Sequence, residues 1–152
     1  MPSLREKTVV KLRAKGLGIS HSRTDVSIRD LTFQIDEPEA RGGTNLGPAP
    51  TEAALAALAG CTNVIGHKCA SKLGADIGHL TIEITCEFDR RGVTLEEEID
   101  VPFVALRQVV TSDGSVSQEE LDRVGSEVAK YCPLSKLFEQ SGTSMETTWA
   151  KA

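Results

Sequence analysis

The chain has few aromatic side chains and lacks an excess of positive charge. Phe, Trp and Tyr make up 4% of its 152 residues, and 22 acidic against 17 basic side chains give a net charge of −5. A nucleic-acid-binding protein normally carries a basic excess or stripe, so this balance argues against that class. No apolar run reaches the roughly 18 residues of a membrane-spanning helix, so no membrane partner is expected.

The cysteines lack the spacings of metal and redox motifs. Cys61, Cys69, Cys86 and Cys132 include no C-x-x-C pair, which argues against a zinc ribbon and a thioredoxin-type motif. On one helix, Cys61 and Cys69 would stand about 80° and about 12 Å apart, too far for one tetrahedral ion. Met1–Ala14 lacks the apolar segment of a secretory signal, so a cytoplasmic location is expected.

Length and hydrophobic content predict one domain over residues 1–152, with strands and helices in separate runs. The strands are predicted at Thr8–Lys15, Asp25–Asp36, Leu80–Phe88, Ile99–Thr111 and Ser144–Ala150. The alternation of the second strand slips between Ile28 and Leu31, which predicts a turn or bulge there. The fourth strand is predicted to bend at Pro102. Glu37–Pro50 is rich in Gly and Pro and predicts a loop.

Three helices are predicted, and the first is unusual in composition. Thr51–Leu73 is expected to begin with Thr51 as its cap, and Ala53–Ala59 is apolar on every side, which is typical of a buried helix. Ser117 and Glu120 form a capping box for the second helix. That helix ends at Cys132, because the following proline disfavours helical geometry before it and opens a third helix that ends near Gln140. Antiparallel-looking strands segregated from helices predict an α+β fold.

Two of the thiols stand out as candidates for chemistry. Cys132 precedes a helix whose first residue is Pro133, so its sulfur would meet free backbone amides and the positive end of a helix dipole, which stabilise a thiolate. Cys61 follows Gly60, which costs about 1 kcal/mol relative to Ala in a helix and suggests a close approach by a backbone or ligand. A buried cysteine is more often a small packing residue, and that alternative stays open for both.

Two motifs resemble those of a known family. Gly47–Thr62, GPAPTEAALAALAGCT, is similar to the central-helix signature of the osmotically induced protein and organic hydroperoxide resistance family. Lys130–Leu137, KYCPLSKL, is similar to its second cysteine motif. Their cysteines are 71 residues apart, and the resemblance extends from about residue 20 to Trp149.

The resemblance implies intertwined homodimers with long central helices between antiparallel sheets. It also implies thiol-dependent reduction of organic hydroperoxides, with Cys61 as the peroxidatic and Cys132 as the resolving cysteine. Cys61 would pass through a sulfenic acid to a Cys61–Cys132 disulfide, which a dithiol of lipoyl type would reduce. No metal, flavin or haem is implied.

The sequence departs from the family pattern at the residues that activate the thiol. The resemblance implies a glutamate ten residues before the cysteine, but Thr51 stands there and Glu52 follows. Within a helix, Glu52 would lie about 180° from Cys61 and about 13 Å along the axis, so it would act across the dimer or from a frayed turn. Equally, Glu52 is explained as a partner of the helix dipole.

The arginine that the resemblance implies has three candidates in the sequence. Arg29 is preferred as the catalytic arginine, Arg41 is second, and Arg23 is third; each is also explained as a surface arginine. His67 lies about 240° around the helix from Cys61, which argues against a role as its base. The remaining candidates are expected to be structural or exposed: Cys69, Cys86, His21 and His79.

Two rival functions remain open at this point. One is a non-catalytic dimer of the same fold that binds a small apolar or thiol-containing ligand at the subunit interface. The other is a redox sensor whose disulfide alters a partner surface. The sequence does not separate them, because a fold does not fix a function.

Overall fold

The computed structural model describes residues 8–152, which form two compact units that divide between Ala54 and Leu55. The residues before the division are called the amino-terminal unit and those after it the carboxy-terminal unit. The segment Met1–Ala14, which is predicted not to be a secretory signal, lies partly outside the described residues. The prediction of one domain stays a prediction.

The amino-terminal unit contains a three-stranded antiparallel sheet in the order β1-β2-β3. The strands are β1 (Lys15–Gly18), β2 (Thr24–Ile28) and β3 (Leu31–Ile35). The predicted strand at Thr8–Lys15 is wrong, since the first strand begins where that segment ends. The single strand at Asp25–Asp36 is also wrong: the chain reverses at Arg29, whose φ of 56° is left-handed, and the predicted turn between Ile28 and Leu31 is confirmed.

Helix α1 (Pro50–Leu73) begins one residue earlier than predicted. The carbonyl of Ala49 accepts from the backbone N–H of Ala53 at 2.8 Å, and the N–H of Ala49 donates to Glu52 Oε1 at 3.0 Å. The prediction that Thr51 caps the helix is wrong, because Pro50 already takes the first helical position, which its fixed φ and missing N–H suit. Glu52 supplies the side chain that satisfies the amide of Ala49.

The carboxy-terminal unit contains a second sheet in the order β4-β5-β6. Its strands are β4 (Leu80–Phe88), β5 (Phe103–Ser112) and β6 (Ser144–Lys151). The predicted bend at Pro102 is wrong because β5 starts after the proline, which has no N–H to offer a strand ladder. The β4 and β5 strands are antiparallel, whereas β5 and β6 are parallel.

Two helices make the connection that the parallel pairing requires. Helix α2 (Gln118–Tyr131) begins with the predicted capping box of Ser117 and Glu120, and helix α3 (Pro133–Gln140) follows after one residue. The predicted α+β class is confirmed.

Trp149 of β6 is the centre of the packing between the second sheet and the helices. Its indole leaves no room for a Cβ at Gly125 of α2, where the ring would be 2.6 Å away, and it is in close contact with Gly66 of α1. Within the carboxy-terminal unit, α1 buries one stripe, made of Leu58, Thr62, Gly66, Cys69 and Ala70. Ala56 and Ala57, outside this stripe, are exposed in the single chain.

Candidate active site

Cys132 lies between α2 and α3 and is fully buried. It is both the last residue before α3 and the cap of that helix: the backbone N–H of Ser135 donates to Cys132 Sγ at 3.5 Å. Pro133 forces this arrangement, because it ends α2 and begins α3 without needing a hydrogen-bond partner for its nitrogen. The position predicted for this sulfur, at the amino end of a new helix, is confirmed.

Cys61, near the middle of α1, faces the same helix end and is half-buried. The Cys132 thiol and the backbone N–H of Leu134 are its neighbours, near enough for both to act on its pKa. Burial raises the pKa of Cys61, and the neighbouring Cys132 raises this pKa further. The Leu134 amide and the ammonium group of Lys68 act in the opposite direction, because both stabilise a thiolate.

The two thiols singled out in the sequence are therefore neighbours in the folded chain. Both are free, with no disulfide between them. Both lie at the first turn of α3, where the Ser135 amide donates to Cys132 and the Leu134 amide is near Cys61. Two neighbouring free thiols are candidates for a disulfide, and amides aimed at sulfur stabilise the anion that reacts.

An apolar groove of about 420 Å³ lies between the later turns of α1 and the end of α2. Its lining combines apolar and charged side chains: Ile65, Cys69, Leu73, Tyr131, Lys68, Lys72 and Glu127. The Lys72 ammonium lies 6.0 Å from the centre of the Tyr131 ring, within the range of a cation–π contact. The groove has the size of small-molecule sites, which commonly span about 300–1,000 Å³.

The amino-terminal unit holds a separate charged cluster. Arg41, on a short 3₁₀ turn (Glu39–Arg41), lies with Nη2 3.9 Å from Glu52 Oε1 and with Nε 2.8 Å from Glu37 Oε2. The side chains of Arg41 and Glu52 are 59% and 61% exposed. They line an open recess of about 530 Å³ together with residues of the Gly- and Pro-rich loop.

The other two candidate arginines lie elsewhere in the amino-terminal unit. Arg29 is exposed in the turn between β2 and β3 and forms no ion pair with any of residues 8–152. Arg23 is paired with Asp25 through two bonds of 2.9 and 3.1 Å. Of the three arginines weighed in the sequence, Arg41 is the one that the structure pairs with Glu52.

The remaining cysteines and His67 occupy positions with structural explanations. His67 bridges the carbonyls of Asn63 and Gly78 at 2.9 and 3.0 Å, which joins α1 to the loop before β4. Burial raises the pKa of both Cys69 and Cys86. Among residues 8–152, no three side chains of the His, Cys, Asp and Glu types are placed to hold a metal ion.

The sequence reasoning missed two contributors to the thiol pair and the pairing of Arg41 with Glu52. Lys68 was recognisable, since it lies seven residues after Cys61 and two helical turns bring such residues to one face. Leu134 contributes through its backbone amide, so its role cannot be recognised from the type of residue at that position. The Arg41–Glu52 pair depends on the backbone path of a loop, which spacing alone does not give.

Comparisons with known proteins agree on one fold. The family model described as OsmC-like protein matches residues 43–148. No curated protein sequence matches the chain. None of the helices in the described part of the chain is long and apolar enough to cross a membrane.

Several solved structures are similar to the chain along nearly its whole length. An OsmC-like protein from Mycoplasma pneumoniae is 17% identical with a TM-score of 0.75, covering 93% of this chain and 98% of that one. An organic hydroperoxide resistance protein from Legionella pneumophila is 15% identical with a TM-score of 0.68, covering 96% and 99%. The organic hydroperoxide resistance protein of Bacillus subtilis is 16% identical with a TM-score of 0.63, covering 92% and 98%. At these identities the likeness shows the fold.

Proposed function

Because this chain belongs to the OsmC-like protein family, we propose that it is a cysteine-based peroxidase that reduces organic hydroperoxides. The observation that carries the proposal is that Cys61 and Cys132 are neighbours at the amino end of α3. The names of the similar structures from Legionella pneumophila and Bacillus subtilis, organic hydroperoxide resistance proteins, support the choice of substrate class.

The proposed reaction uses the two neighbouring thiols in turn. The Cys61 thiolate attacks the distal oxygen of the hydroperoxide, the O–O bond breaks, and the alkoxide takes up a proton and leaves as an alcohol. Cys61 is then a sulfenic acid. The Cys132 thiolate attacks that sulfur, a disulfide forms, and the sulfenic oxygen leaves as water. An external dithiol, of lipoyl type by resemblance, reduces the disulfide by exchange and is itself oxidised.

The backbone amides at the start of α3 have a role in each half of this cycle. The Leu134 amide lies near Cys61, where it stabilises the attacking thiolate. The Ser135 amide donates to the sulfur of Cys132, the nucleophile of the second step. One helix end thus places an amide beside each sulfur.

We assign the arginine and glutamate of the reaction to Arg41 and Glu52 rather than to Arg29 and Glu52. A carboxylate that faces a guanidinium orients it, and the charge of a guanidinium favours a thiolate and binds an oxygen of a peroxide. The 3.9 Å approach of Arg41 to Glu52 supports the assignment, whereas Arg29 has no carboxylate partner among the described residues.

The exposed side of α1 supports a homodimer. Ala56, Ala57 and Gly60 are exposed in the single chain, and Val64 on the same side is 51% exposed. Beyond its own stretch of helix, no atom of residues 8–152 lies within 4 Å of the place where a Cβ on Gly60 would stand. A glycine within a helix costs about 1 kcal/mol relative to alanine, and close packing of a second copy explains its presence.

A second candidate function is supported by the apolar groove beside Lys68 and Tyr131. A groove of this size can hold a small apolar or thiol-containing ligand. The chain would then be a binding protein of the same fold that does not turn its ligand over. Thiols of ordinary reactivity are expected under this alternative, because burial raises the pKa of Cys61.

Consumption of cumene hydroperoxide in the presence of dihydrolipoamide tests the peroxidase. The wild-type chain is expected to turn over, and Cys61→Ser is expected to lose activity because the hydroxyl does not attack peroxide. Cys86→Ser is the matched control, since Cys86 is also half-buried but lies on β4. Full activity of Cys61→Ser, or an inactive wild-type chain that binds cumyl alcohol, would favour the second function.

A further inference from the structure

Asp36 is a buried carboxylate that the reaction above does not use. It follows β3 directly and is fully buried. Its oxygens accept from the backbone N–H groups of Glu37 at 2.7 Å, Leu46 at 3.1 Å and Thr44 at 3.3 Å. The Thr44 hydroxyl donates to it as well. A buried charge is stable only when donors surround it, and these four donors all belong to one loop.

The loop that surrounds Asp36 is also closed by its own backbone. The N–H of Asp36 donates to the carbonyl of Pro48, and that of Asn45 donates to the carbonyl of Glu37, both at 3.0 Å. A Cβ on Gly43 would collide with the Glu37 carbonyl. The path from residue 37 to residue 48 is therefore a compact turn built around one carboxylate.

Arg41 projects from this turn into solvent, where its contacts are weak. Exposed ion pairs contribute about 0–1 kcal/mol, so the contacts with Glu37 and Glu52 do not by themselves hold the guanidinium in one place. The backbone that carries Arg41 is fixed at both ends by Asp36, through Glu37 on one side and through Thr44 and Leu46 on the other.

We infer that Asp36 is a positioning residue: it orders the loop between Glu37 and Leu46 so that the Arg41 guanidinium faces Glu52. The effect of Asp36 on catalysis rests on the proposed function of the Arg41–Glu52 pair. The effect of Asp36 on the order of the loop is independent of that function. The Thr44 hydroxyl is the main cause of an Asp36 pKa well below the ordinary range, so the carboxylate keeps its charge at neutral pH.

The test uses Asp36→Asn, which keeps the size of the side chain but loses the charge and turns an acceptor into a donor. Trypsin cleavage after Arg41 in the folded protein measures the order of the loop without any peroxidase activity. We expect Asp36→Asn to raise the cleavage rate about tenfold, because a lost hydrogen-bond network promotes local opening. Asp25→Asn, which removes a carboxylate of β2 in the same unit, is expected to leave this cleavage unchanged.

Kinetics then separate positioning from stability. Asp36→Asn is expected to lower kcat/KM about tenfold, and in an Arg41→Met background it is expected to lower kcat/KM no further, because the two residues act through one group. If Asp36→Asn does not fold, Thr44→Val removes the hydroxyl donor alone and is expected to show both effects in smaller degree.

Two results would overturn the inference. One is unchanged cleavage after Arg41 in a folded Asp36→Asn or Thr44→Val chain. The other is a full additional loss when Asp36→Asn is combined with Arg41→Met. An inactive wild-type chain with tenfold faster cleavage in Asp36→Asn would refute the proposed function and leave the positioning role supported.

Discussion

The charged pair of the amino-terminal unit and the thiol pair of the carboxy-terminal unit are held by opposite means. Arg41 and Glu52 are more than half exposed, whereas Cys132 is fully buried. The exposed pair gains little from its own attraction, so its geometry depends on a loop built around Asp36. The thiols are held by packing and by the amides of α3. An exposed reactive group needs a dedicated structural element to hold it in place, whereas a buried one is held by the packing of the core.

The largest expected effect concerns the exposed pair. Arg41→Met keeps a long side chain without the charge and is expected to lower kcat/KM for an organic hydroperoxide on the order of a hundredfold, since donors that stabilise developing charge are worth that much. Steady-state peroxide consumption measures the loss.

Arg29→Met is the matched control for this prediction. It removes the same charge from an exposed turn of the same unit and is expected to leave kcat/KM unchanged. A large loss in Arg29→Met with normal activity in Arg41→Met would move the role of the arginine to the β2–β3 turn. The exposed Arg41–Glu52 pair would then have no part in the reaction, and its comparison with the thiol pair would fail.

A smaller effect is expected at the thiol pair. Burial raises the pKa of Cys61, and the Lys68 ammonium offsets part of that rise. Lys68→Met is therefore expected to raise this pKa further and to slow alkylation of Cys61 about threefold at neutral pH. The thiolate is the reactive form, and a higher pKa moves the rise of the rate with pH to more alkaline values. Iodoacetamide labelling followed by peptide mass spectrometry from pH 6 to pH 10 gives the profile.

Lys72→Met is the control for Lys68→Met, because Lys72 is one turn further along α1 and affects Cys69 rather than Cys61. It is expected to leave the Cys61 profile unchanged. Equal shifts in both variants would mean that the general charge of the helix, and not Lys68, acts on the thiol.

Local sequence patterns predicted the elements that local chemistry determines. The capping box at Ser117 and the break at Pro133 depend on side chains within a few residues, and both are as expected. The alternation of apolar and polar residues over Leu80–Phe88 correctly predicted the bounds of β4, because its side chains are alternately half-buried and exposed.

Features that depend on distant pairing were not predicted. The parallel pairing of β6 with β5 follows from the crossover of two helices, which the alternation within Ser144–Ala150 does not encode. Arg29 was preferred over Arg41 on its place in the sequence. The pairing of Arg41 with Glu52 depends on the turn around Asp36, whose donors are backbone amides of a loop.

The most direct test of the account is the fate of the sulfurs after one turnover. The reduced chain is mixed with one equivalent of cumene hydroperoxide, quenched with acid within a second, alkylated and digested without reductant, with hydrogen peroxide in a parallel sample. We expect a peptide pair linked through Cys61 and Cys132, formed faster with the organic peroxide, while Cys69 and Cys86 are recovered as alkylated thiols. Four free thiols after an excess of either peroxide would contradict the account.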